Sequence, residues 1–150
     1  MIGDDSMATN LSFALARHCR KHGIALVYLF GSQAREGARL LAGETVSVHD
    51  PLTDLDVGVV TIEPLPDGLV RTKYYAALYN DFVDMFKPLR LDLVLLEENH
   101  SVFQLEAVKG ICVYAVSEER RDTYEMMILR RAADFRPFLE AYLRDVLEEA

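Results

Sequence analysis

Apolar positions recur along this chain in two periods, and the switches between them mark the elements. Leu11, Ala14, Leu15, His18 and Cys19 fall at helical spacing, with Asn10 as the N-cap and Gly23 as the stop. Ile24 to Phe30 is then an unbroken apolar run, the pattern of a central strand covered on both faces. Gly31-Ser32 breaks the run, and Gln33 to Arg39 reads as a short helix. Thr45 to His49 alternates as a short edge strand would, and Asp50-Pro51 signals a turn. Leu55 to Thr61 is the next strand. Leu69 to Lys87 carries Tyr75, Leu78, Tyr79, Phe82 and Phe86 as one helical stripe.

Leu89 to Leu96 reads as a third strand, Ser101 to Lys109 as a helix ended by Gly110, and Ile111 to Val116 as a fourth strand. Glu118 to Glu149 is helical, with Tyr124, Ile128, Ala132, Phe135, Leu139, Tyr142, Leu143 and Val146 along one side. Pro137 inside it is expected to kink or divide it. Strands alternating with helices predict an α/β fold, a small mixed sheet of about four strands flanked by helices. No repeat or linker interrupts the pattern, so residues 1–150 are expected to form one domain, with a core over about 11–116 and a helical tail over about 118–149.

Composition narrows the function classes. The formal net charge is −8, whereas a surface that grips a nucleic-acid backbone is usually basic. No apolar run approaches the roughly 20 residues needed to span a bilayer, and the first ten residues have no secretory pattern. A cytoplasmic protein is expected, with Cys19 and Cys112 as two reduced thiols. His18 and His22 stand at i, i+4 but lack a third metal ligand nearby.

The chemistry gathers in three places. A glycine at a strand-to-helix turn admits close approach of a ligand to the backbone, and a helix beginning at Ser32 would offer free N–H groups and a positive dipole end to a phosphate. The Ser32 hydroxyl can donate to a phosphate oxygen. Asp54 and Asp56 are i and i+2 on a strand, so their carboxylates share a face. Asp92, between Leu91 and Leu93, reads as a carboxylate that is costly to bury unless paired or bound to metal. Two carboxylates about 4 Å apart repel by about 4 kcal/mol at an effective dielectric of 20. The strands show no lysine or arginine pattern that would neutralise them, so converging acids require a divalent cation or a raised pKa.

Taken together, Leu29-Phe30-Gly31-Ser32-Gln33-Ala34-Arg35, Asp54-Leu55-Asp56 and Leu91-Asp92-Leu93 resemble the signature of the DNA polymerase β-like nucleotidyltransferases. Within them the likeness is to the minimal nucleotidyltransferases, the MNT antitoxins of HEPN/MNT toxin–antitoxin pairs, over about residues 11–116. The tail, with Arg120 to Glu125 and Ala133-Asp134-Phe135, resembles the C-terminal helix of those antitoxins. The resemblance implies that Asp54, Asp56 and Asp92 hold Mg²⁺ and the triphosphate, with Asp92 helping to deprotonate the attacking hydroxyl. It implies that Gly31 and Ser32 bind the β/γ-phosphates, with Arg35 and Lys73 as further triphosphate contacts. It also implies AMP transfer from ATP to a tyrosine of a HEPN toxin partner, in a homodimer or hetero-oligomer, without nucleic acid or membrane. Other readings are a small-molecule nucleotidyltransferase of the aminoglycoside-modifying kind, its acceptor held in trans or by a second copy, and a non-catalytic module that binds the toxin. The stretch Gln33 to Thr53 is about twice as long as the family's usual spacing and falls where the nucleotide site would have its rim.

Overall fold

The computed structural model describes residues 2–149. Seven consecutive buried residues, Ile24–Phe30, form β1, the only kind of strand that can be apolar on both faces without alternation. It lies inside a four-stranded sheet of order β3-β2-β1-β4, in which β2 is Asp54–Thr61, β3 is Arg90–Leu95 and β4 is Ile111–Ala115. β1 runs antiparallel to both β2 and β4, and β2 runs parallel to β3. The mixed sheet and the flanking helices agree with the pattern read from the sequence.

Each face of the sheet carries its own core. On one face Val27, Leu29, Leu55, Val57, Leu91 and Leu93 pack against α1 (Ile2–His22), α2 (Ala34–Leu41) and α3 (Gly68–Val83). On the other, Leu26, Tyr28, Phe30 and Val60 pack against α4 (Ser101–Val108) and α5 (Glu118–Glu149). Buried polar groups there are paired: the Tyr124 hydroxyl donates to Gln104 Oε1 at 2.6 Å, and the Tyr28 hydroxyl donates to Glu125 at 2.9 Å. Cys19 and Cys112 are both free thiols, and burial pushes Cys19 up to about 12.

Several elements depart from their expected limits. α1 begins at Ile2, so Asn10 is inside the helix and not at its start, while Gly23 ends it with φ 65° as expected. Residues 45–49 form no strand. Val46 is pulled into the core between the helices, which ties this segment to the helical layer and not to a sheet edge. The predicted helix over 69–87 stops at Val83 and tightens into a single 3₁₀ turn over Asp84–Phe86, which seats Met85 and Phe86 in the core. His18 and His22 meet a carboxylate and not a metal. Asp81 on α3 accepts from Lys21 Nζ at 2.9 Å and lies 2.6 Å from His22 Nε2 and 3.6 Å from His18 Nδ1, fastening α1 to α3. The Lys21 and His22 hydrogen bonds hold the Asp81 carboxyl down at about 2.

α5 continues through Pro137 without dividing. Its first half packs: Tyr124, Ile128 and Ala132 are buried on the sheet side. Beyond Pro137 the stripe residues Tyr142, Leu143 and Val146 are 64%, 49% and 44% exposed. Burial against the sheet is thus concentrated in the first half. Ile128→Ala should cost about 2–5 kcal/mol in urea unfolding, as for other buried aliphatic truncations. Leu143→Ala should stay within about 0.5 kcal/mol of the parent, as surface changes do.

Candidate active site

β1 ends against the site. Gly31 follows Phe30 with φ 76°, and a Cβ there would stand 2.2 Å from Asp56 Oδ2. Both the left-handed backbone and the close carboxylate therefore require glycine at this position. The chain then turns through Ser32 and Gln33, closed by the Ala34 N–H on the Gly31 carbonyl at 3.4 Å, and α2 begins at Ala34 rather than at Ser32. Ser32 is exposed on this turn. The first-turn N–H groups of α2 have no partner within the helix. Gln33 Nε2 donates to Thr53 Oγ1 at 3.2 Å, which pins the turn to the residue preceding Asp54.

The register of the sheet places the acids. Phe30 pairs with Asp56 across β1 and β2, and Asp56 pairs with Asp92 across β2 and β3. Paired residues on adjacent strands share a face at about 4.8 Å, so Asp56 and Asp92 stand side by side on the face that carries α4 and α5. Asp56 faces Asp92 across the strands, and its pKa is raised to about 6, first by desolvation and then by Asp92 and Asp54. Asp92 is exposed rather than buried. β3 is an edge strand whose residues alternate, with Leu91, Leu93 and Leu95 inward and Arg90 and Asp92 outward. The burial cost expected for Asp92 is thus absent, and what sets its environment is its opposition to Asp56. On the outer edge of β3 the Tyr75 hydroxyl donates to the Leu93 carbonyl at 2.8 Å, and the Asp92 charge, after desolvation, raises the pKa of Tyr75.

Asp54 is engaged elsewhere. Arg90, its register partner, donates Nε–H to the Asp54 carboxylate and Nη2–H to the Leu52 carbonyl at 3.2 Å. The strands do carry a neutralising cation, contrary to the expectation from sequence. Arg90 lies two residues before Asp92 and so on its face, a period-2 signal that was open to sequence reasoning. Among the described residues no group of three His, Cys, Asp or Glu side chains is arranged to hold a metal ion. The structure brings Asp56 and Asp92 together and leaves Asp54 beside them on the Arg90 guanidinium. Carboxylate oxygens are the hard donors that Mg²⁺ takes, and like charges held side by side are relieved by a divalent cation. Asp56 and Asp92 supply such donors side by side, and Asp54 stands next to them on the Arg90 guanidinium.

Arg35 lines a cleft of about 490 Å³ beside the turn, together with Gly31, Ser32, Glu106, Lys109 and Gly110. That cleft adjoins the turn but does not include the acids. Lys109, at the end of α4, is a cation of this cleft that the sequence reading missed, since nothing local ties it to Gly31-Ser32. Lys73 is exposed on α3, about 200° around the helix from Tyr75, and so turned away from the side that meets β3. The structure does not bring it to the acids.

A family model described as polymerase beta nucleotidyltransferase matches residues 14–119. No curated protein matches the sequence significantly. Among solved structures, a toxin–antitoxin complex with AMP-PNP is similar at TM-score 0.63 and 16% identity, covering 91% of this chain and 98% of the matched one. A tri-AMPylated Shewanella oneidensis HEPN toxin in complex with MNT antitoxin is similar at TM-score 0.61 and 16% identity, covering 94% and 99%. An MntA-HepT toxin–antitoxin structure is similar at TM-score 0.60 and 15% identity, covering 93% and 98%. At these identities the likeness is one of fold.

The carboxyl pair has a consequence for stability without any ligand. Because the folded pKa of Asp56 is raised to about 6, its stabilising protonated form is fully present below the unfolded value near 3.8 and is lost as pH rises through 6. Asp56→Asn should therefore raise the melting temperature at pH 7.5, and the gain should shrink to nothing by about pH 4, as followed by circular dichroism.

Proposed function

The chain belongs to the polymerase beta nucleotidyltransferase family, and from that premise we propose that it is a Mg²⁺-dependent protein adenylyltransferase. It moves AMP from ATP to a tyrosine hydroxyl of a helical, HEPN-type toxin and so acts as that toxin's antitoxin. The observation that carries this reading is the side-by-side placement of Asp56 and Asp92 next to the Gly31-Ser32 turn. The fold likeness to antitoxin complexes, one with AMP-PNP and one with an AMPylated toxin, supports the choice of nucleotide and acceptor.

In this reading Asp54, Asp56 and Asp92 hold the metal. When bound, Mg²⁺ supplies charge stabilisation at the transferring phosphoryl group and at the attacking and leaving oxygens. Ser32 donates its hydroxyl to a β- or γ-phosphate oxygen, and the backbone N–H groups entering α2 do the same. Arg35 approaches the terminal phosphates from the adjoining cleft. The acceptor oxygen attacks the α-phosphorus in line, the bond from that phosphorus to the β-phosphate oxygen breaks, and pyrophosphate leaves. The acceptor proton passes to Asp92, the exposed member of the pair. Toxin docking falls to the second half of α5, where Phe138, Tyr142, Leu143 and Leu147 are exposed. We place the reaction in the cytoplasm. Among the described residues no helix is long and apolar enough to cross a membrane.

Incubation of the co-expressed pair with α-labelled ATP tests the reading. Label should appear on the partner's tyrosine, and Asp54→Asn with Asp56→Asn should reduce transfer to background. Toxin neutralisation that survives this double change undiminished would replace the enzyme with a binding-only antitoxin. Ser32→Ala should weaken triphosphate binding by about 10- to 150-fold, the value of a hydrogen bond to a charged group, and should raise KM for ATP accordingly.

A further inference from the structure

Arg90 touches two things that the reaction needs at different times. Its guanidinium fork holds the Asp54 carboxylate through Nε and the Leu52 carbonyl through Nη2. Leu52 belongs to the segment 42–53, which follows α2 and forms no helix or strand. That segment closes in a turn: the Leu52 N–H donates to Asp50 Oδ1 at 2.9 Å, and the Thr53 hydroxyl donates to the Asp50 carbonyl at 2.8 Å. Gln33 fixes Thr53 from the phosphate turn. Leu52 itself is 81% exposed, so the Arg90 bond is what its carbonyl gains from the body of the protein.

Planarity makes this double grip selective for arginine, because a lysine ammonium cannot offer two donors in a fixed fork. Arg90 holds Asp54 through one oxygen, Oδ1, and a divalent cation bound to Asp54 would compete for the same carboxylate charge. We propose that Arg90 is a built-in counter-cation that ties Asp54 to the rim segment 42–53 in the metal-free protein. A divalent cation taking Asp54 frees Arg90 and, with it, the Leu52 carbonyl at the end of the rim. The inference rests on reading Asp54 and Asp56 as ligands of a divalent cation. Its consequence is that metal loading and loosening of the turn at Leu52 and Thr53 are coupled, each favouring the other by the same factor. An exposed ion pair contributes 0–1 kcal/mol, so the competition lowers metal affinity by up to about fivefold.

Mn²⁺ alone, titrated into the full chain without nucleotide and read by electron paramagnetic resonance, tests the competition. Arg90→Met should bind Mn²⁺ more tightly than the parent, by up to about fivefold. Hydrogen exchange tests the coupling. Mg²⁺ should deprotect the Leu52 and Thr53 amides in the parent, whereas Arg90→Met should be unprotected there already and indifferent to Mg²⁺. Removal of a nearby positive charge alone would tighten Mn²⁺ binding without any metal-dependent exchange in the parent, and that result overturns the coupling. Equal or weaker Mn²⁺ binding by Arg90→Met overturns the competition. Asp56→Asn and Asp92→Asn separate the two levels of the account: if both bind Mn²⁺ like the parent, the metal-site reading itself fails. If they lose Mn²⁺ while Arg90→Met is unchanged, only the role of Arg90 falls.

Discussion

The parallel pairing of β2 with β3 sets two carboxylates against each other, and most of the site follows from that register. A shift of one residue would send Asp92 to the opposite face and bring Leu91 or Leu93 opposite Asp56. The register is held by apolar residues on the buried face, Leu55 and Val57 on β2 with Leu91 and Leu93 on β3, all packed under α1, α2 and α3. The hydrophobic core thus imposes a like-charge contact that is unfavourable by itself. The strain shows in the raised pKa of Asp56, and beside it Arg90 neutralises Asp54.

The same constraint explains which parts of the site were legible in the sequence. Gly31-Ser32 and Asp54-Leu55-Asp56 could be read because each is local: a run that breaks at a glycine, and two acids at strand spacing. Asp92 was found for an incorrect reason. Its apolar neighbours suggested burial, yet on an edge strand they mark alternation, and the carboxylate is exposed. Arg90 was overlooked because its significance lies in pairing with Asp54, which only register supplies. Lys73 was attributed to the triphosphate on the strength of the resemblance, and helical phase turns it away.

For the fold, long periodic stretches were read well and short ones poorly. The run Ile24–Phe30 matches β1 at both ends, and Asp54 joins the following strand one residue before its apolar part. Thr45 to His49 alternates like a strand but has no sheet edge to join, and Val46 is drawn into the helical core. Asn10 has the chemistry of an N-cap, but the helix extends past it to Ile2. The stripe of α5 was legible along its length, whereas the point where it leaves its own sheet was not. Periodicity reports an apolar face without saying what covers it.

The most direct measurement is a crystal structure of the full chain with Mn²⁺ and a non-hydrolysable ATP analogue, read by anomalous scattering. The account predicts a metal peak within about 2.0–2.3 Å of carboxylate oxygens from both Asp56 and Asp92, with the β- or γ-phosphate on Ser32. A metal held away from that pair, or an analogue whose phosphates lie away from the Gly31-Ser32 turn, would contradict it.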